Sequence, residues 1–133
     1  MAEVGSYIYI AQRDLNDAMV MFDAKSFTSS GRFSEQAIEK ALKHFIHLKG
    51  SSRDYRLLTL HKPMRLYTKC QEYLLNLELT KEEIFTLGIL DDYYYDTNYP
   101  GNAFFELDEE DAKLALELAN KIVKFILEQD MRR

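Results

Sequence analysis

The side chains able to do chemistry cluster in the middle of the chain. Gln36, Lys40, Lys43 and His47 follow one another at intervals of 4, 3 and 4, the spacing that lines residues along one helix face. Two ammonium groups about one turn apart can hold a phosphate that a lone exposed lysine holds weakly. The Gln36 amide can read a hydrogen-bonding edge without adding charge. The competing reading is a solvated face, on which Glu39 pairs with Lys43 for about 0.2–0.5 kcal/mol. Arg56 and His61 supply a further cation and a proton carrier. Asp91, Asp92 and Asp96 bring carboxylates close together, but no matching carboxylate set elsewhere completes a divalent-cation site. Tyr93, Tyr94, Tyr95 and Tyr99 either stack on bases or pack in the core with their hydroxyls wet. No Gly-rich phosphate loop, Ser-His-Asp order or Cys/His zinc spacing is present.

Charge sorts the same residues into two regions. Residues 40–69 hold eight Lys/Arg and all three His against one acid, a charge of +7, whereas residues 78–111 hold eleven acids against one Lys, a charge of −10. The chain as a whole carries −5, a poor basis for non-specific nucleic-acid binding, yet a local basic face can still hold phosphate. Two solvated faces, or a basic region of one copy meeting the acidic region of another, both fit this asymmetry.

These groups need a scaffold, and 133 residues supply one domain, residues 1–133, large enough for a core without staples. Apolar residues make up 47% and charged residues 29%, the balance of an ordinary globular protein. The single Cys70 forms no internal disulfide and reads as a small buried apolar residue, which suits a reducing compartment. No apolar run approaches the length of a membrane span, and the first residues do not read as a secretory leader. A cytoplasmic protein without membrane contact is expected.

Periodicity predicts five helices and no strand. Tyr7, Ile8, Ala11, Leu15, Ala18, Met19 and Phe22 recur at helical spacing, giving a first helix over about residues 6–24. Thr28-Ser29-Ser30-Gly31 reads as a loop ending in an N-cap. The second helix then buries Phe33, Ala37, Ile38, Ala41, Leu42, Phe45 and Ile46 and stops at Gly50. After a connector, Pro63 opens a third helix that reaches about residue 77. Thr80 and Glu83 form a capping box for a fourth, continuing to about residue 95, before Tyr99-Pro100-Gly101 breaks the chain. Asp108 caps the fifth. Short connections favour antiparallel neighbours, so the fold class is all-α, an up-and-down helical bundle of about five helices. The fourth and fifth helices carry apolar residues on more than one stripe, which predicts burial at the bundle centre or against a second copy.

Several segments, taken together, resemble the HEPN family, the small helical domains named for higher eukaryotes and prokaryotes nucleotide-binding. Ile10-Ala11-Gln12-Arg13-Asp14-Leu15 is similar to the family's opening helix, and Gln36-Ala37-Ile38-Glu39-Lys40-Ala41-Leu42-Lys43 to its most recognisable segment. His61 followed by a helix resembles a His-Asp-Leu element. Leu90-Asp91-Asp92-Tyr93-Tyr94-Tyr95-Asp96-Thr97-Asn98-Tyr99-Pro100 is similar to a Leu-Asp…Tyr-Tyr…Thr-Arg-Tyr-Pro block, and Asp111-Ala112 with Ala115 and Ala119 fits the closing helix. Two departures stand out. Asn98 replaces an arginine, removing the fork that grips phosphate. Lys62 replaces an aspartate, removing an N-cap oxygen.

The resemblance implies a bundle of about five helices that usually dimerises and is tied to nucleotides or RNA. Members are often encoded beside a minimal nucleotidyltransferase, and some are toxins. The family's nuclease branch uses an Arg-x4–6-His motif, whose His moves protons and whose Arg steadies transition-state charge. Arg56 to His61 satisfies that string, but before the third helix, and residues 96–102 contain neither Arg nor His. The expectation is therefore a homodimer without catalytic residues, metal or certain cofactor. Its ligand is a nucleotide or RNA and its partner protein a nucleotidyltransferase. The candidate ligand-binding residues are Gln36, Lys40, Lys43, His47, His61, Tyr95, Asn98 and Tyr99, with Lys40 and Lys43 on the polar face. The alternatives are a toxin endoribonuclease and a purely structural interaction module.

Overall fold

A computed structural model describes residues 6–50, 52–98 and 106–131, with the side chains of 52–55, 93–98 and 131 outside the description. Among the described residues there are five α-helices, α1 Tyr7–Asp23, α2 Phe27–Lys49, α3 Pro63–Glu72, α4 Lys81–Asn98 and α5 Glu109–Met131, and no strand. A 3-10 helix, Ser52–Thr59, forms the connector before α3. The long α2 is the hub. It packs on α1, α3, α4 and α5, while α5 also lies against α1 and α4. Its buried Ala37, Ile38, Ala41, Leu42, Phe45 and Ile46 meet Leu118, Ala119, Ile122 and Ile126 of α5 in one core. No described helix is long and apolar enough to cross a membrane.

Most helix starts carry the expected signals. Ser6 Oγ accepts from the Tyr9 amide at 3.2 Å, and Asp108 Oδ1 accepts from the Asp111 amide at 2.8 Å. The capping box closes reciprocally: the Thr80 amide donates to Glu83 at 2.8 Å and the Glu83 amide to Thr80 Oγ1 at 3.1 Å. At α3, where Lys62 offers no cap, Asp91 reaches across from α4 and accepts from the Met64 amide at 2.8 Å. One acid thus supplies from another helix the oxygen that position 62 lacks.

Three boundaries differ from expectation: the start of α2, the end of α3, and the end of α4, which runs to Asn98 and not to about residue 95. The segment 28–31 is not a loop but the first turns of α2, which begins at Phe27. Its small polar residues permit close approach: buried Ser30 Oγ donates to Ala18 O at 2.8 Å, Thr28 Oγ1 accepts from the Leu107 amide at 3.2 Å, and Gly31 takes the Leu107 side chain where a Cβ would collide. The turn from α1 to α2 instead uses Lys25 at φ 63°. Its amide bonds Phe22 O at 2.9 Å and the Ser26 amide bonds Met21 O at 2.8 Å, the paired bonds of a Schellman motif. The third helix ends at Glu72, short of residue 77, because a second Schellman turn at Leu74 (φ 65°) sends buried Leu75 and Leu77 inward. Tyr67 OH donates to Leu77 O at 2.6 Å and Gln71 accepts from the Leu77 amide at 3.1 Å. Gly50 does end α2, but in extended backbone (φ −83°, ψ 164°) and not in the left-handed region. Tyr99-Pro100-Gly101 lies outside the described residues.

Candidate functional site

A ladder of charge runs through the middle of α2 and into the bundle. Glu35, Glu39 and Lys43 are spaced one turn apart and are all buried. Glu39 is 1% exposed, and its Oε1 is the focus. Lys43 Nζ donates to it at 2.7 Å and Lys40 Nζ at 3.3 Å. His61 Nδ1 lies 3.0 Å from the same oxygen, brought over from the connector ahead of α3. From α1, buried Asp14 adds a further charge within electrostatic reach of Lys40 and Glu39.

The protonation states follow from this crowding. Burial pushes the Glu35 carboxyl up to about 10, and the Glu39 charge beside it pushes in the same direction. As a carboxylate Glu35 would find no donor, but as a neutral acid it donates a hydrogen bond to Glu39. Burial alone would raise Glu39 too, but the Lys43 bond, the Glu35 bond and the Lys40 charge outweigh it and hold this carboxyl below its ordinary value. Burial lowers the Lys43 ammonium, against the pull of its bond to Glu39. Burial likewise raises Asp14, with Arg13 and Lys40 opposing. One buried carboxylate thus gathers a proton donor and three nitrogen groups, the full pairing a buried charge requires.

The ladder corrects one expectation. Lys43 is not on the polar face: its side chain is buried and ion-paired, because the apolar stripes of α2 leave that row pointing into the bundle. The Glu39–Lys43 pair exists, but as interior structure and not as a solvated surface pair. The other candidate residues are partly open. Gln36 is half-buried, Lys40 is 26% exposed and His61 is 43% exposed. His47 is exposed and packs edge-on against Tyr7, with ring centroids 6.4 Å apart. Lys40 and His61 therefore converge on one oxygen at the open edge of the ladder, while His47 stands apart from that focus. Tyr95 and Asn98 lie on the last turns of α4 with side chains outside the described residues, as does the whole of Tyr99.

Elsewhere, Asp91 is committed to capping α3, and burial raises its carboxyl against the pull of the Met64 amide. No group of three or more His, Cys, Asp or Glu able to hold a metal occurs among the described residues. Cys70 is buried, within 3.4 Å of Leu42 O, and burial pushes its thiol up to about 12, so it is an inert core residue. Sequence reasoning missed Glu35, Asp14 and the central place of Glu39. The available signal was an acid, acid, base series at intervals of four, set between the apolar positions of α2.

Helix order, the hub role of α2 and its buried ladder define an all-α bundle with a charged interior. The HEPN domain model matches residues 4–129, and the chain belongs to that family. Two solved structures share the fold. TT1696 from Thermus thermophilus is 23% identical, with 92% of this chain and 94% of that one covered at a TM-score of 0.67. ST0689, described as an archaeal HEPN homologue, is 20% identical, with 97% and 98% covered at a TM-score of 0.63. No curated protein matches the chain by sequence.

Proposed function

We propose that this HEPN protein is a non-catalytic, single-domain binding protein of the cytoplasm, linked to nucleotides or nucleic acid. In this reading it acts as a homodimer and as the helical partner of a minimal nucleotidyltransferase. The observation that carries the reading is the open edge of the ladder, where Lys40 and His61 meet at Glu39 Oε1. Lys40, 26% exposed, offers a cation to an anion at this edge, and half-buried Gln36, one turn before it, offers an amide beside it. Glu39 neutralises part of that charge, so the site favours a small phosphate group over a long polyanion. Support for the non-catalytic part comes from the sequence, since residues 96–102 hold neither the Arg nor the His that the nuclease branch's motif would place there.

The test is calorimetric titration with nucleoside mono- and triphosphates and with a short mixed RNA. Lys40→Glu should weaken binding of the nucleotides on the order of tenfold or more, while far-UV circular dichroism stays unchanged. Lys43 is left intact, since it belongs to the core. Unchanged affinity in Lys40→Glu overturns the anion site. RNA cleavage abolished by His61→Ala would replace this reading with the toxin endoribonuclease. Absence of any ligand would favour the structural module.

A further inference from the structure

A shallow groove between α4 and α5 leaves apolar surface open. Its deeper half, about 100 Å³, is floored by Ile89, Leu90, Leu107 and Ala115. The adjoining half, about 230 Å³, continues past Thr86 and Leu114 toward Glu82 and Glu117. Phe85 and Leu114 flank it and are 71% and 41% exposed, against the normal fate of such side chains. From Asp111 to Leu118 the groove follows α5 for two turns, about 10 Å at 1.5 Å per residue. Its charged lining is acidic throughout: Glu82, Glu83, Asp111 and Glu117, with no Lys or Arg among the lining residues. Among the described residues, Glu83 is compensated by Lys121 at 2.8 Å, and Glu82, Asp111 and Glu117 form no ion pair.

Shape and charge select the occupant. Both halves are shallow and open, whereas an ordinary small-molecule site encloses most of its ligand. Nucleic acid is repelled by the rim carboxylates. A second copy seated by twofold symmetry on this same face would set Glu82, Asp111 and Glu117 against their own like charges. A two-turn apolar trench between antiparallel helices instead matches the anchors at i, i+3 or i+4 of a helix laid in a groove. We propose that the α4–α5 groove docks an amphipathic helix of a partner protein. Apolar anchors of that helix seat beside Phe85 and Leu114, and its Lys/Arg flanks face Glu82, Asp111 and Glu117. The added helix completes the bundle on the side where α4 and α5 leave apolar surface wet. This site is separate from the Lys40–His61 edge and does not rest on nucleotide binding.

The probe is a short synthetic helix of Leu, Ala and Lys, fluorescently labelled, with a twin in which Glu replaces every Lys. In anisotropy titrations the basic probe should bind and the acidic twin should not. Phe85→Ser should weaken the basic probe on the order of tenfold, and so should Glu82→Lys combined with Glu117→Lys. Asp23→Lys, an exposed acid on α1 outside the groove, should retain wild-type affinity. Amide shifts on titration should fall on Phe85, Thr86, Ile89 and Leu114. Failure of the basic probe to bind, equal binding of the twin, or unchanged affinity in both groove variants overturns the proposal. So does a Phe85→Ser protein that changes from dimer to monomer in sedimentation while still binding the probe as wild type does.

Discussion

Glu35 shows how one side chain can make a protein's stability answer to pH. Unfolded, its carboxyl titrates near 4.5, whereas in the bundle burial and the Glu39 charge raise it to about 10. The folded state therefore binds more protons than the unfolded chain between those values. The contribution of this group is full below pH 4.5 and is lost as pH rises toward 10, with a limiting slope of about 1.4 kcal/mol per pH unit. Glu39 has the opposite sign, since its folded value is lowered: its contribution is present above the ordinary carboxylate range and is lost as pH falls through it. Glu35→Gln keeps a donor for Glu39 and cannot ionise. Urea unfolding across pH 6–9 should show the wild type losing stability as pH rises and Glu35→Gln losing much less. Parallel curves for the two proteins would contradict a neutral Glu35. Lys43 carries a related lesson, because charge reversal there probes the interior and says nothing about a surface.

Among the helices, the turn after α3 carries backbone strain. Leu74 sits at φ 65° and is 75% exposed, a left-handed conformation that costs a branched side chain roughly 1–2 kcal/mol and returns little burial. Leu74→Gly should therefore raise stability by about 0.5–1 kcal/mol, seen as a higher melting temperature. A lower one would mean that Leu74 makes contacts worth more than the strain. The helices themselves were legible in sequence because their signals are local: Ser6, Thr80 with Glu83, and Asp108 cap the ends that their residue types announce. The first turns of α2 were not legible. Thr28, Ser30 and Gly31 have loop chemistry, and only the partners Ala18 and Leu107, distant in sequence, turn them into a contact surface. The cap from Asp91 to α3 was hidden for the same reason. At the site, the row Gln36, Lys40, Lys43 and His47 was visible as spacing, but its depth was not. A lysine has the same letter whether it meets water or Glu39, and the neighbours that bury this one come from other elements.

At the scale of the molecule, the breadth of apolar surface on α5 is largely consumed within one chain. Ala112, Ala115, Leu118, Ala119, Ile122, Val123 and Ile126 are buried, so they serve the core first. The homodimer expected from family resemblance then needs a surface other than those stripes. Its signature is independent of which face is used: the melting temperature should rise with protein concentration, and sedimentation at micromolar concentration should exceed the 15.6 kDa of one chain. A concentration-independent melt with monomer sedimentation would remove the dimer from the functional reading. The notch where Leu107 meets Gly31 bears on how such a bundle can change over time. A methyl group added at Gly31 first collides with a side chain already in place, whereas trimming Leu107 first leaves only a cavity, a cost that neighbours can partly relax. The two positions are thus coupled in size: enlarging residue 31 requires the Leu107 side chain to move or shrink, so Gly31→Ala should cost less stability in a Leu107→Ala background than in the wild type.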